Sequence, residues 1–449
     1  MMLRSLIVQG KIDMRIILLS GGSGKRLWPL SNESRAKQFI KIFKNECGEY
    51  ESMLQRVYRQ ICSINETVNI TIATSKAQVA SIHNQLGEDV GICVEPYRRG
   101  TFSAVALAAS WLYDIQKVPL TEPIVVCPVD SYADNDFFKT VKMIGEATQE
   151  IESGLILLGI EPTYTSEKYG YMIPESDEKI SRIILYKEKP NVSMAKELIA
   201  QKALWNGGVF AFQLGYMLKK AKDIIGFSSY DDLYDKYEGL KDISLDYAIV
   251  EQEKNIWVMR FDGKWKDLGT WNTLTEVMDD ACVGNAMLSK DCNNVHVINE
   301  LDIPILCMGL ENVVVSASPG GILASNKEQS SNLKPFVNQL DQKIMFADKS
   351  WGQFRVLDIA DESMTIKITI RSGCMMNYHS HENRDEIWTI ISGKGRTIVD
   401  GMEQPVSAGD VIAMQAGCRH TIIADTELKL IEVQLGREIS VHDKRKYEL

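Results

Sequence analysis

The stretch "LLSGGSGKRLWPLSNESRAKQF", residues 18–39, sets three glycines and four cationic side chains directly behind the apolar run "RIILLS". Glycines here let the backbone take positive φ and approach a ligand without side-chain bulk. Successive amides in such a turn make a concave anion site. Two known phosphate patterns fail. A P-loop needs G-x-x-x-x-G-K-[ST], but Arg26 follows Gly24 and Lys25, and Leu19 stands where the first glycine belongs. A dinucleotide fingerprint needs G-x-G-x-x-G. Gly22, Ser23 and Gly24 fit its start, but Leu27 fills the third site and Pro29 follows. Two readings stand: a loop for a triphosphate, with Arg26 and Lys37 near the departing pyrophosphate, and a plain strand-ending turn.

Working outward, apolar runs alternate with helical patterns over the first half of the chain. "NITIAT", "GICVEP", "PIVVCPVD" and "GLILLG" read as strands; "SAVALAASWLYDI" and "FFKTVKMIGEATQEI" read as helices. This alternation predicts an α/β fold with a parallel sheet covered on both faces. Ligands of such sheets sit beyond the carboxyl ends of the strands, where the glycine loop and Asp130 fall. From residue 285 the pattern shifts to short strand candidates ("NVHVINE", "PILCMG", "NVVVSAS", "GILAS") and then "SNLKPFVNQL", which reads as a linking helix. From Trp351 onward the pattern is all-β with glycine-marked turns. The expected domains are 14–284, 285–342 and 343–449.

Bulk properties narrow the partners. The 449 residues are 45% hydrophobic and 24% charged, with a net charge of −10. That excess of acid argues against a nucleic-acid or anionic-membrane surface, so a phosphate ligand needs local cations. The nine cysteines are scattered without a C-x-x-C pair, a pattern of reduced thiols in a cytosol. The start "MMLRSLIVQGKIDM" is too short for a signal peptide and no 18-residue apolar run follows. A cytoplasmic protein is expected, with the residues before Met14 as a start-site extension.

"GGSGKRLWPLS" with "KQF" resembles the signature G-G-x-G-x-R-L-x-P of sugar-1-phosphate nucleotidyltransferases, most of all the mannose-1-phosphate guanylyltransferases. The resemblance runs in order along the chain from Met14. "EPYRRGTFSAVALAA", "VCPVDSY", "GIEPTYTSEKYGYM", "YKEKP", "WNGGVF", "SLDYAIVE" and "WKDLGTW" are each similar to a family segment. It implies a Rossmann-like mixed sheet and transfer of a nucleotidyl group from GTP to mannose 1-phosphate. By this resemblance Arg26, Lys37, Asp130, Lys189 and Asp267 are catalytic, with Asp130 and Asp267 ligating Mg2+. Leu19, Gly21, Gly22, Ser23, Gly24, Lys25, Glu95, Arg98 and Thr101 would bind the nucleotide. Gly170, Glu188, Lys189, Asn206, Gly207 and Asp246 would bind the sugar phosphate. The chain departs from the family at Ala36, where proline is usual, and at Tyr97 and Gly100, where glycine and asparagine are usual. Another sugar, another base or a nucleotide-sugar sensor stay open. His83 and His296 show no evident partner and read as surface or core residues.

In "GCMMNYHSHENRDEIWTIISG", His379 and His381 lie two apart and Glu386 follows five further on. Strand residues two apart share a face, so both rings can reach one ion, and His420 comes after the turn at Gly417. Three histidines and a carboxylate suit a divalent transition metal such as Zn2+ with open positions. Both spacings resemble the two cupin motifs, with Gln415 in place of the usual proline. Arg384, Glu386 and Trp388 are similar to the R-x-E-x-W of type II phosphomannose isomerases. That resemblance implies a mannose-6-phosphate isomerase in a C-terminal cupin β-barrel. The changes at His379 and in "AMQAG" leave a non-catalytic metal cupin equally open. A homodimer is expected, since cupin barrels pair through sheet edges.

Overall fold

"RIILLS" forms a strand because its residues are β-branched or apolar and buried on both faces. The computed structural model describes residues 14–22, 25–32, 35–64, 67–151, 154–340, 343–437, 439–440 and 443–449. Chain contacts divide them into two units. The first holds the opening strand with Phe43–Val79 and Asp89–Leu268. The second holds the segment after Gly22 as far as Ile42, with Ala80–Glu88 and Gly269–Leu449.

The first unit is built on β1 (Arg15–Ser20), β2 (Asn69–Ser75), β3 (Gly91–Glu95), β4 (Pro123–Pro128), β5 (Ser131–Ala133) and β6 (Leu155–Ile160). It continues with β7 (Tyr171–Pro174), β8 (Ile180–Lys187), β9 (Leu204–Gln213), β10 (Ile256–Phe261) and β11 (Trp265–Asp267). Nine of these form one sheet in the order β3-β2-β1-β4-β9-β6-β10-β8-β7, and β5 and β11 make a separate ribbon. Strands β1 to β4 run parallel as the alternation predicts. The sheet then departs from the all-parallel reading of the alternation and is the mixed sheet that the family resemblance implies, because β9 lies antiparallel between β4 and β6. Alternation reports burial on both faces, and a central antiparallel strand satisfies that equally well.

The helix Gly100–Asp114 is apolar nearly all round and buried from Phe102 to Ser110. Gly100 opens it with φ +77°, and a Cβ there would sit 2.3 Å from the Ile243 carbonyl oxygen. That contact lets Ile243 pair with the turn, its amide reaching the Arg99 carbonyl at 3.4 Å.

In the second unit, Cys282–Gly284, His296–Asn299, Val313–Ser318 and Gly321–Asn326 form a four-stranded sheet over a small core of Val295, Val297, Cys307 and Val315. The expected linking helix is shorter than its sequence suggests: only Lys334–Val337 is α-helical, with Pro335 in its first turn. His296 does have a partner, since Lys327 Nζ donates to its Nδ1 at 2.8 Å. His83 Nδ1 lies 3.0 Å from Glu88. Beyond residue 343, sheets of six and five strands enclose a core of Trp351, Ile368, Trp388, Ile422 and Leu430. Among the described residues no helix is long and apolar enough to cross a membrane.

Replacing Gly100 by alanine is expected to lower unfolding stability by about 2 kcal/mol or more, because a left-handed site also loses its clearance. A shift of the urea midpoint reads this; an unchanged midpoint would mean the turn relaxes freely.

Candidate active site

The end of β1 is fixed by side chains from β2 and the turn after it. Thr74 Oγ1 donates to the Ser20 carbonyl at 3.0 Å, and Ser20 Oγ donates to Gln78 Oε1 at 3.3 Å. Gln78 Nε2 reaches the Gly22 carbonyl at 3.4 Å. The Leu19 carbonyl takes the Val129 amide at 3.3 Å, which sets Asp130 beside the end of β1. Gly21 and Gly22 are exposed there. Ser23 and Gly24 lie outside the described residues. Lys25 opens the 3-10 turn Lys25–Leu27, which carries an exposed Arg26, and Lys37 opens the turn Lys37–Phe39. Both turns belong to the second unit.

Asp130 and Asp267 come together through the β5–β11 ribbon. Trp265 pairs with Ala133, Lys266 with Tyr132 and Asp267 with Ser131. Asp267 therefore stands opposite the residue after Asp130, and both are partly exposed. A pair of carboxylates is what a hard divalent ion takes, since it uses one or two from the protein and keeps its waters.

The predicted sugar-side residues meet in one hydrogen-bonded patch. Tyr186 Oη donates within reach of both Glu188 Oε2, at 2.8 Å, and Asp246 Oδ1, at 3.0 Å. Asn206 Nδ2 donates to Asp246 Oδ1 at 2.7 Å and to Tyr186 Oη at 3.0 Å. Lys189 Nζ sits 2.8 Å from Glu188 Oε1. Burial would lower this ammonium's pKa, but Glu188 outweighs it and holds Lys189 charged. Burial, then the Glu188 charge, pushes Asp246 up to about 6. Gly170 is required by contact: a Cβ there would lie 2.3 Å from Tyr186 Oη and 2.5 Å from Glu188 Oε2. Gly207 packs on Leu158 and Ile160 behind the patch.

Sequence reasoning missed Tyr186, although it stands in the quoted "YKEKP". It also missed an aromatic wall: Tyr169 and Tyr164 lie with ring centroids 4.8 and 4.9 Å from Trp205, and Tyr169 lies 5.6 Å from Trp265. The Tyr169 carbonyl takes the Lys189 amide at 3.2 Å. Its hydroxyl pKa is raised by burial first, then by Tyr164 and the Asp267 carboxylate. Tyr169 thus links the sugar-side patch to the carboxylate ribbon.

Among the residues expected to bind the nucleotide, Glu95 Oε2 accepts from Tyr237 Oη at 2.8 Å. Burial raises the Glu95 carboxyl, against the pull of Tyr237 and Arg98. Thr101 Oγ1 accepts the Leu245 amide at 3.0 Å, which ties this segment to the residue before Asp246.

In the C-terminal part, His379, His381, Glu386 and His420 are buried with their ligand atoms within 4.8 Å of one another. Each histidine Nδ1 meets a backbone carbonyl, of Asn377, Asp443 and Cys418 respectively. A carbonyl only accepts, so each Nδ1 carries the proton and each Nε2 presents a lone pair inward. Two of these lone pairs face a carboxylate: His381 Nε2 lies 3.1 Å from Glu386 Oε1, and His420 Nε2 lies 3.1 Å from Glu386 Oε2. Such a donor set suits a shared cation. An ion about 2.1 Å from each ligand spans ligand pairs to roughly 4.2 Å, so the cluster fits after shifts of tenths of an ångström. Arg384 donates to Glu386 Oε1 at 2.9 Å and approaches His381 Nε2 at 3.0 Å. Burial pushes His379 down to about 2 and His381 down to about 4. Glu432, not foreseen from sequence, accepts from Trp388 Nε1 at 2.9 Å, and burial followed by the Glu386 charge pushes it up to about 7.

The nucleotidyl transferase family model matches residues 15–283 and the cupin domain model matches residues 367–434. The Xanthan biosynthesis protein XanB of Xanthomonas campestris pv. campestris (strain B100) is 26% identical over 97% of this chain and 98% of its own length. The mannose-1-phosphate guanylyltransferase of Salmonella montevideo is 26% identical over 95% of this chain and 97% of its own. A solved Thermus thermophilus structure, described as a mannose-1-phosphate geranyltransferase, shares the fold with a TM-score of 0.62 at 23% identity. It covers 74% of this chain and all of that one.

The purified chain is expected to carry about one divalent transition metal, measured by atomic spectroscopy, and His381→Ala to lose it; an unchanged content would rule out the ligand set. The folded pKa values of His379 and His381 lie below the ordinary value of about 6.5. The unfolded chain therefore binds more protons below that pH. Metal-stripped protein should accordingly lose stability as pH falls from 6.5 toward 4, read as a falling urea midpoint.

Proposed function

The chain belongs to the nucleotidyl transferase family, and from that premise we propose that it converts GTP and mannose 1-phosphate to GDP-mannose and pyrophosphate. The observation that carries this reading is the single patch formed by Tyr186, Glu188, Asn206 and Asp246, with Lys189 paired at its edge. Carboxylates that accept and a lysine that meets a phosphate are what a sugar 1-phosphate requires. Support for guanine and mannose comes from the full-length relatives named for that activity.

In this account a phosphate oxygen of the sugar attacks the α-phosphorus of GTP, and the bond to the β-phosphate oxygen breaks. Both reactants are anions, so positioning and charge neutralisation dominate the barrier. Glu188, Asn206 and Asp246 orient the sugar hydroxyls. Lys189 exchanges its contact with Glu188 for the sugar phosphate. The loop Leu19, Gly21, Gly22, Ser23, Gly24 and Lys25 receives the triphosphate, and Glu95, Arg98 and Thr101 face the base. Arg26 binds the leaving pyrophosphate, its planar fork matching two phosphate oxygens, and Lys37 holds the nucleotide phosphates. Mg2+ held by Asp130 and Asp267 would supply neutralisation shared by both reacting phosphates. The C-terminal cluster of His379, His381, Glu386 and His420 would hold Zn2+ or a similar ion. Interconversion of mannose 6-phosphate and fructose 6-phosphate is the second activity to assay there. We place the enzyme in the cytoplasm, as a homodimer.

Pyrophosphate release, assayed with each of the four nucleoside triphosphates and a panel of sugar 1-phosphates, tests the assignment. Turnover is expected with GTP and mannose 1-phosphate, and no turnover with any pair would leave a sensing module. Asp267→Ala should lower turnover by about 100-fold or more while the urea midpoint holds; retained turnover would remove its role. Since Asp246 is pushed up to about 6, kcat/KM for mannose 1-phosphate should fall as pH drops below 6, and Asp246→Asn should remove that limb.

A further inference from the structure

Three consecutive carbonyls lie between Arg26 and Lys37, and each is taken by a side chain. Trp271 Nε1 donates to the Trp28 carbonyl at 3.2 Å, and Ser318 Oγ to the Pro29 carbonyl at 2.8 Å. Arg35 takes the Leu30 carbonyl with Nε at 2.9 Å and Nη2 at 2.7 Å. Trp271 lies near the end of the transferase region and Ser318 belongs to the stretch that leads from it to the cupin region, and Arg35 is tied to that stretch in turn. Its Nη2 reaches Glu300 Oε1 at 2.9 Å and Oε2 at 2.7 Å, and its guanidinium lies 4.4 Å from the centre of the Phe346 ring. Phe346 begins the strand Phe346–Lys349, the first of the six-stranded sheet. All these residues belong to the second unit.

We propose that Arg35 is a positioning residue for nucleotidyl transfer: clamped by Glu300 and Phe346, it grips the Leu30 carbonyl and so steadies the described residues that follow Arg26 and precede Lys37. The proposal rests on the reading of those two cations as phosphate-binding groups. The side chains of Arg35 and Glu300 are 16% and 29% exposed, and a partly solvated pair of this kind adds little to global stability. What it does add is direction, since a guanidinium bound at several points with a ring on one face has little orientational freedom left. The residue next to it gives the reason such a restraint is needed. Ala36 has φ −73° and ψ 157°, an extended conformation whose φ proline would lock and which alanine shares with other conformations in an unrestrained chain. The clamp takes the place of the missing ring. It also makes the transfer loop depend on residues near 300 and 346, so the C-terminal half contributes to a reaction whose groups it does not supply.

The test is steady-state kinetics on the full chain. Glu300→Gln and Arg35→Met should each raise KM for GTP by about tenfold. KM for mannose 1-phosphate should stay within twofold, because the sugar-side patch lies in the other unit. The double variant should be no worse than the worse single one, and Ala36→Pro placed in the Glu300→Gln background should recover the KM for GTP. A KM for GTP unchanged in both single variants, or both substrates' KM rising equally, would overturn the proposal. Arg26→Gln separates the two layers. If it turns over like the parent chain, the phosphate-binding reading of the loop is wrong. If it loses transfer while Glu300→Gln is silent, the clamp alone is wrong.

Discussion

The first unit depends on a three-rung ladder between Ser131–Ala133 and Trp265–Asp267. Neither strand is long enough to be stable by itself, and each leans on what flanks it. The first follows the strand Pro123–Pro128, buried up to its last residue. The ladder sets Asp267 opposite Ser131, the neighbour of Asp130 in the chain. The sugar-side patch joins it through Tyr169, whose ring lies against Trp265 and whose carbonyl holds the Lys189 amide.

A net charge of −10 sharpens the electrostatic problem, because the proposed substrates are anions too. The chain meets it locally. Lys189 is kept charged by Glu188, and Arg26 stays exposed at the loop. Burial pushes the carboxyls Glu95 and Asp246 up, and Tyr237 and Asn206 donate to them. In the C-terminal part the logic is reversed: three imidazoles are stripped of water and given inward lone pairs, a donor set ready for a cation.

Much of this was legible in sequence where the signal is local. The strand run before the glycine loop, the spacing of His379 and His381, and the string "YKEKP" each report a short-range constraint. The direction of β9 was not legible, since burial on both faces looks the same for either orientation. Tyr186 and the Tyr169–Trp205 contacts were hidden because an aromatic in a strand reads as core. The Lys327–His296 pair and the grip of Glu300 and Phe346 on Arg35 join residues far apart in the chain, for which no spacing rule exists. The linking helix fell short because Pro335 fits only a first turn.

The most direct measurement of the central claim is Mn2+ loading followed by electron paramagnetic resonance, in the presence of a non-hydrolysable GTP analogue. It is made in a His381→Ala background to silence the C-terminal cluster. The account predicts one nucleotide-dependent ion per chain, lost in both Asp130→Asn and Asp267→Asn. Equal loading in those two variants would contradict it.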